Sequence, residues 1–128
     1  MGHLATADAT GRPHVVPVCY AFDENALYFV ADEKPKRTAA RSLKRLRNLR
    51  ENPHAALVVD EWDEDWTRLA WVMVRGPAGV ETEATRRADA LARLRRRYPQ
   101  YDAMRLDDAD AHPLVRLSAA LITTWRAT

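Results

Sequence analysis

The sequence predicts a mainly β fold: a six-stranded antiparallel barrel accompanied by α-helices, in one domain spanning residues 1–128. Three observations lead there. Six runs of alternating or continuous apolar residues are bounded by turn signals. Most connections between them are too short to hold the crossover helix that an open parallel sheet needs after nearly every strand. Closure into a barrel also removes the unpaired edges that a small β core would otherwise expose.

The elements follow in order. HLATAD (3–8) and PHVVPVCYAF (13–22), separated by a turn at Gly11, read as a hairpin in which Pro13 and Pro17 restrict hydrogen-bond donation along one edge. Asp23-Glu24-Asn25 turns the chain into ALYFVA (26–31), which completes a three-stranded meander. From about Lys36 to Asn52, Leu43, Leu46 and Leu49, with Ala39 and Ala40 upstream, place one apolar stripe on a helix. Asn52-Pro53 stops it, because proline disfavours helical geometry in the residue before it.

AALVVDEW (55–62) is the fourth strand, and the acidic loop DEDWTR (63–68) leads into LAWVMVRGPAGVE (69–81). There Leu69, Trp71 and Met73 share one face, and Ala70, Val72 and Val74 the other. Residues 84–98 read as a second helix that turns Ala84, Ala88, Leu91, Leu94 and Tyr98 to the core and ends at Pro99. Residues 100–113 read as loop or a short helical turn. A last strand runs unbroken from about Leu114 to Arg126, with Val115, Leu117, Ala119, Leu121, Thr123 and Trp125 along one side.

Charge is the most telling compositional feature. With 20 basic and 18 acidic residues the net charge is only +2, yet Lys34 to Arg50 (KPKRTAARSLKRLRNLR) carries eight cations and no acid. Concentrated like charge opposes folding by self-repulsion and points to an anion as partner. No apolar run approaches the roughly 18 residues of a membrane helix, and the start lacks a charged segment followed by an apolar one. The single cysteine, Cys19, cannot form an internal disulfide, which suits a reducing, cytoplasmic setting. Cys19, beside Tyr20 in a strand, reads as core rather than nucleophile.

The order LATAD-x-x-GRPHVVPV, a hydrophobic strand, Lys-Arg-x-Arg-Asn-Leu-Arg-Glu-Asn-Pro and then AALVV resembles the pyridoxamine 5′-phosphate oxidase-like split barrel. More narrowly it resembles the actinobacterial branch of that superfamily that uses the deazaflavin F420. The likeness is clearest over residues 3–80 and looser in the last strand. Relatives ordinarily carry a segment ahead of the LATAD strand, so this chain reads as short or trimmed at its start.

The resemblance implies a homodimer with cofactor sites at the subunit interface, F420 or alternatively FMN as cofactor, and hydride transfer to or from a small organic substrate. It also implies residues. Counting back from Pro53, the phosphate holders match Lys44, Arg45 and Arg47, with Lys34 and Lys36 as further candidates. The ring would lie against the second strand at Val16, Pro17 and Val18, with His14 beside them, and Trp125 would match a C-terminal aromatic at the cofactor site. Charge-assisted contacts from Arg and Lys suit a phosphate. F420 adds an acidic oligoglutamate tail to its phosphate, so surplus cations favour it over FMN. No catalytic residue is singled out, because in such a protein the cofactor supplies the chemistry.

Other readings compete. A basic helix face can simply be solvated. Nucleic-acid binding would use a second basic group, Arg86, Arg87, Arg93 and Arg95 to Arg97, but 18 acidic residues and the lack of a base-reading motif speak against it. His3, His14, His54 and His112 have no metal-ligand spacing. On the same fold, a non-catalytic flavin or F420 carrier or a haem binder is the alternative class. Trp62 and Trp66, in the acidic loop, are the aromatics whose exposure would mean most.

Overall fold

The computed structural model describes residues 1–31 and 43–128. These form β1 (Gly2–Ala7), β2 (Pro13–Val18), β3 (Ala21–Phe22), β4 (Ala26–Val30), α1 (Lys44–Glu51), β5 (His54–Glu61), β6 (Ala70–Val80), α2 (Ala84–Arg97), β7 (Leu114–Ser118) and β8 (Leu121–Arg126). Short 3-10 turns occupy Trp66–Arg68 and Pro99–Ala103. The strands make one curled antiparallel sheet in the order β2-β1-β5-β6-β7-β4-β3, with β8 also on β6. The mainly β, antiparallel class read from the sequence is therefore the class observed, with eight strands in place of six.

The difference comes from two predicted strands that break. Residues 13–22 divide at Cys19-Tyr20 into β2, which pairs with β1, and β3, which pairs with β4. The predicted meander is thus two separate hairpins at opposite ends of the sheet order, joined by that corner. Leaving both ladders frees the corner's backbone groups, and α2 satisfies them. The Tyr20 N–H donates to Tyr98 Oη at 3.2 Å, and Arg97 Nη1 donates to the Tyr20 carbonyl at 3.1 Å while its guanidinium lies 4.2 Å from the Tyr20 ring.

The predicted strand 114–126 divides at Ala119-Ala120 into β7 and β8. Beside it, β6 is shared: Ala78–Val80 pair with β7, while Ala70–Arg75 pair with β8. The Ala120 N–H folds back onto the Ser118 carbonyl at 2.9 Å. The side-chain alternation changes phase there. Val115 and Leu117 are buried, whereas beyond the bend Leu121 and Ile122 are both exposed, with Ile122 opposite Val74 at the cleft and Leu121 opposite Arg75 on the other face. The change of side is what a one-residue slip does to a strand.

Two cores result. The first lies inside the curled sheet and joins Leu4, Phe29, Leu57, Val74, Val115 and Leu117 to Leu46 and Leu49 of α1. Of the helix predicted from about Lys36, residues 36–42 lie outside the described residues and Leu43 is the non-helical cap before α1. Leu46 and Leu49 close one end of the barrel, each contributing about 1.5–3 kcal/mol of burial. Asn52 ends α1 in extended geometry, its N–H bonded to the Asn48 carbonyl at 2.7 Å. The second core packs α2 on the outer face of β3 and β4 through Ala90, Leu91 and Leu94. Ala84 and Ala88, expected inside, are exposed. Arg87 takes the buried position instead, because its guanidinium reaches the Leu106 carbonyl. Half-buried Cys19 packs against this core.

At the opposite end from α1 the barrel stays open, as an apolar cleft of about 320 Å³ lined by Tyr20, Leu27, Leu57, Val59, Val72 and Ile122 among others.

Two features make firm expectations. A Cβ at Gly76 would sit 2.0 Å from the Ser118 carbonyl oxygen, which is backbone and cannot step aside. Gly76→Ala should cost about 1–3 kcal/mol, as overpacking does. A denaturant midpoint equal to wild type would show that β6 and the β7–β8 bend are not locked together. At the β1–β2 turn, hydrogen bonds from Thr10, followed by the Arg12 amide, hold the Asp8 carboxyl down from 3.8 to about 2. A depressed carboxyl stabilises the fold fully above its unfolded pKa and loses that contribution as pH falls through its folded pKa. Stability carried by Asp8 should therefore fade between pH 3.8 and about 2. The Asp8 carboxyl resonance should titrate near the lower value, and Thr10→Ala should raise it. A wild-type midpoint at 3.8 would refute the turn as its cause.

Candidate cofactor site

The cationic helix is tied to β1 and to the turn that leads into the strand expected to face the ring. The β1–β2 connection positions both. Gly11 adopts φ 85°, a left-handed conformation natural to glycine, and lets the turn close. Asp8 Oδ1 accepts from the Thr10 amide at 2.9 Å, Thr10 Oγ1 at 2.7 Å and the Arg12 amide at 3.0 Å. Its other oxygen lies 3.8 Å from Lys44 Nζ at the start of α1. The turn is thereby tied to the first residue of the basic helix.

A second tie is buried. Asn48, fully inaccessible, donates through Nδ2 to Thr6 Oγ1 on β1 at 3.0 Å. Thr6 stands directly opposite His14 in the β1–β2 register. His14 Nδ1 and Asn48 Oδ1 are both buried without a hydrogen-bond partner. Such atoms carry a desolvation cost until something completes them. Neither Asp8, Thr6 nor Asn48 was singled out from the sequence. The Asp-x-Thr-Gly turn pattern at residues 8–11 could have marked the first.

The predicted phosphate holders are arranged by α1. Leu46, Asn48 and Leu49 take its buried face, Lys44 and Arg45 are half-buried, and Arg47 is exposed. The Arg47 side chain forms no ion pair or hydrogen bond among the described residues. Lys34 and Lys36 lie outside the described residues.

On β2 the side chains of His14, Val16 and Val18 turn inward, and those of Pro13, Val15 and Pro17 turn out. The backbone follows a related rule. Pairing with β1 runs unbroken through Pro17↔His3 and Val18↔Gly2. Proline has no N–H for a ladder, so the bonds to β1 come from His14, Val16 and Val18. The open edge then presents the carbonyls of Pro13, Val15 and Pro17 and the N–H of Val15. Of the predicted ring contacts, Val16 and Val18 commit their backbone to β1, while Pro17 offers its carbonyl outward.

Trp125 stands apart from this group. It pairs with Trp71 near the start of β6, whereas α1 ends beside Pro77 near the finish, through the Pro53 carbonyl and the Ala78 amide at 2.9 Å. Six strand residues, on the order of 20 Å, separate the two places. Within one chain the structure ties Lys44 to the β1–β2 turn through Asp8 and Asn48 to Thr6, which stands opposite His14, and leaves Trp125 elsewhere. No group of three or more metal-ligating side chains occurs among the described residues.

These residues fit a phosphate-bearing group. Arg47 is an uncommitted guanidinium, Lys44 is held by a carboxylate only at 3.8 Å, and the orphaned imidazole of His14 stands opposite Thr6, to which Asn48 of α1 donates.

Known proteins place the chain in a family. The family model described as pyridoxamine 5′-phosphate oxidase matches residues 1–126. Among curated proteins none matches. HutZ, a haem storage protein of Vibrio cholerae, superposes with a TM-score of 0.75 at 18% identity, over 98% of this chain and 84% of its own. A conserved hypothetical protein of Mycobacterium tuberculosis gives 0.76 at 20% identity, over 98% and 76%. An FAD-binding protein of Mesorhizobium loti gives 0.68 at 24% identity, over 96% and 81%. At these identities the likeness is one of fold. The match over residues 1–126 decides membership, and this chain belongs to the pyridoxamine 5′-phosphate oxidase family.

Proposed function

We propose that this protein binds a phosphate-bearing flavin or deazaflavin, F420 in preference to FMN, at the interface of a homodimer, and uses it in oxidoreduction of a small organic substrate. The observation that carries the reading is α1, where the exposed and uncommitted Arg47 shares a helix with Lys44 and Arg45, and Lys44 lies 3.8 Å from Asp8 in the turn that leads into β2. Arg47 and Lys44 would hold the phosphate by charge-assisted hydrogen bonds. The Val15 amide and the carbonyls of Pro13 and Pro17 would meet the polar edge of the ring. The bound cofactor would supply hydride transfer, and the protein orientation and exclusion of water.

Partner coverage is supported by apolar side chains that one chain leaves in water: Val72, Leu121, Ile122 and Trp125 are 41%, 51%, 57% and 45% exposed. A second reading, a carrier or haem binder without turnover, is favoured by the fold likeness to HutZ and by the orphaned imidazole of His14. The absorbance spectrum of the protein reconstituted with each candidate separates these. A Soret band lost in His14→Ala would favour haem, and turnover with reduced F420 and a panel of enones or quinones would favour the enzyme.

Two measurements test the site. Arg47→Ala removes an exposed side chain, so the thermal melt should stay at the wild-type value. Affinity for F420 or FMN should fall by about 1.5–3 kcal/mol, roughly 10- to 100-fold in Kd. Unchanged affinity in a fluorescence titration would remove α1 as the phosphate holder. The choice of cofactor is read from salt. The four further cations Lys34, Lys36, Arg37 and Arg41 lie outside the described residues, and would meet the acidic tail of F420. Exposed pairs are screened over about 8–10 Å at physiological ionic strength. The Kd for F420 should therefore rise more steeply with salt than that for FMN. Equal slopes, or tighter FMN binding throughout, would make this an FMN protein.

A further inference from the structure

A polar groove of about 340 Å³ lies on the outer face of the sheet where β6 meets β7, beside Pro53 and His54 that follow α1. Its lining includes His54, Gly79, Glu81, Arg86, Arg116 and Ser118. Arg116 is the unusual member. It is half-buried, its Nη1 donates to Ser118 Oγ at 2.6 Å, and its Nε is buried with no partner. The guanidinium also bonds the Tyr28 phenol, whose own proton goes to Asp23 Oδ2 at 2.9 Å. Its contacts are thus neutral oxygens, and no carboxylate among the described residues forms an ion pair with it. A partly desolvated guanidinium that lacks an anion is a costly arrangement unless one arrives.

The obvious internal candidate is committed elsewhere. Glu81 lines the same groove, but Oε1 is 3.5 Å from Arg86 Nη1 and Oε2 accepts from the Glu83 amide at 3.3 Å. Glu81 and Arg86 cancel, which leaves Arg116 as the uncompensated charge. Space is provided as well. Gly79 stands directly opposite Arg116 in the β6–β7 register, and a Cβ built on it would touch nothing within 4 Å. Its backbone is not in the left-handed region, so glycine is not required there for conformation. The hollow over Gly79 beside a guanidinium has the size and chemistry for a small oxyanion.

We propose that this groove is a binding site for a small oxyanion, a phosphate or carboxylate group, held by Arg116 with Ser118 beside the hollow above Gly79. Arginine's planar fork suits either group, each of which takes two parallel N–H bonds. None of Lys44, Arg45 and Arg47 lines the groove, so the proposal stands or falls independently of the cofactor reading.

The test titrates inorganic phosphate and succinate, in separate arms, into the isotopically labelled full chain and follows backbone amide shifts. Saturable shifts at Gly79, Arg116 and Ser118 are expected, and the arm with the lower Kd identifies the preferred group. Arg116→Gln should weaken that binding at least tenfold. Gly79→Val, which fills the hollow with a residue that strands accept, should abolish it. Both should leave the phosphate-induced shifts at Lys44–Glu51 unchanged, which separates this site from the helix. Should Arg116→Gln fail to fold, Gly79→Val carries the test alone. Shifts confined to α1, no saturable shift in either arm, or equal binding by wild type and Gly79→Val would each overturn the proposal.

Discussion

The closest constraint in this molecule is the passage of β6 against the Ser118 carbonyl, where Gly76 has room for a hydrogen and nothing larger. Much of the architecture depends on it. By admitting the β7–β8 bend, Gly76 lets one long strand serve two partners, β8 along its first half and β7 along its second. The sheet can then curl, with β7 continuing to β4 and β8 remaining on the outer part of β6. One end of the curl is filled by the leucines of α1. The other, where β8 has changed phase, remains an apolar cleft.

Splitting a barrel leaves backbone groups that no ladder satisfies, and here arginine and tyrosine side chains complete them. Tyr98 and Arg97 serve the corner at Tyr20, and Arg93 Nη1 reaches the Phe22 carbonyl at 3.3 Å. Arg87 serves the Leu106 carbonyl, and Arg95 lies 3.5 Å from Asp107. Of the second basic group of the sequence, which could be read as a nucleic-acid surface, Arg93 and Arg97 thus hold α2 to the edge of the sheet, and Arg87 and Arg95 tie it to the loop at Leu106-Asp107. Buried polar groups need partners, and a guanidinium supplies several donors at once.

The cations of α1 differ in kind. Arg47 is not drawn into the fold, and Lys44 is only loosely tethered, through a carboxylate whose own turn keeps it charged. Around them the structure leaves specific groups incomplete: an imidazole nitrogen on His14, an amide oxygen on Asn48 and the open edge of β2. Arg116 repeats that pattern on the far side of the sheet. In both places the ligand we propose would complete a buried group that the fold leaves without a hydrogen-bond partner.

The sequence by itself determined the class of fold, the basic helix and its stop at Asn52-Pro53, and the resemblance that names the family. Each of these is local: a period of two or of 3.6, a proline, a motif of ten residues. Boundaries that depend on distant partners were not legible. Residues 13–22 and 114–126 each have continuous strand character, and only the positions of Tyr98, Arg97 and Gly76 in space break them. The inward face of α2 was set by the Leu106 carbonyl, which rewards Arg87 for a place that periodicity would give to alanine. At the candidate site, sequence could supply the cations but not their standing. Whether an arginine is spent on a carbonyl or left for a ligand is decided by what lies within about 3 Å of it, and that is a property of the tertiary structure alone.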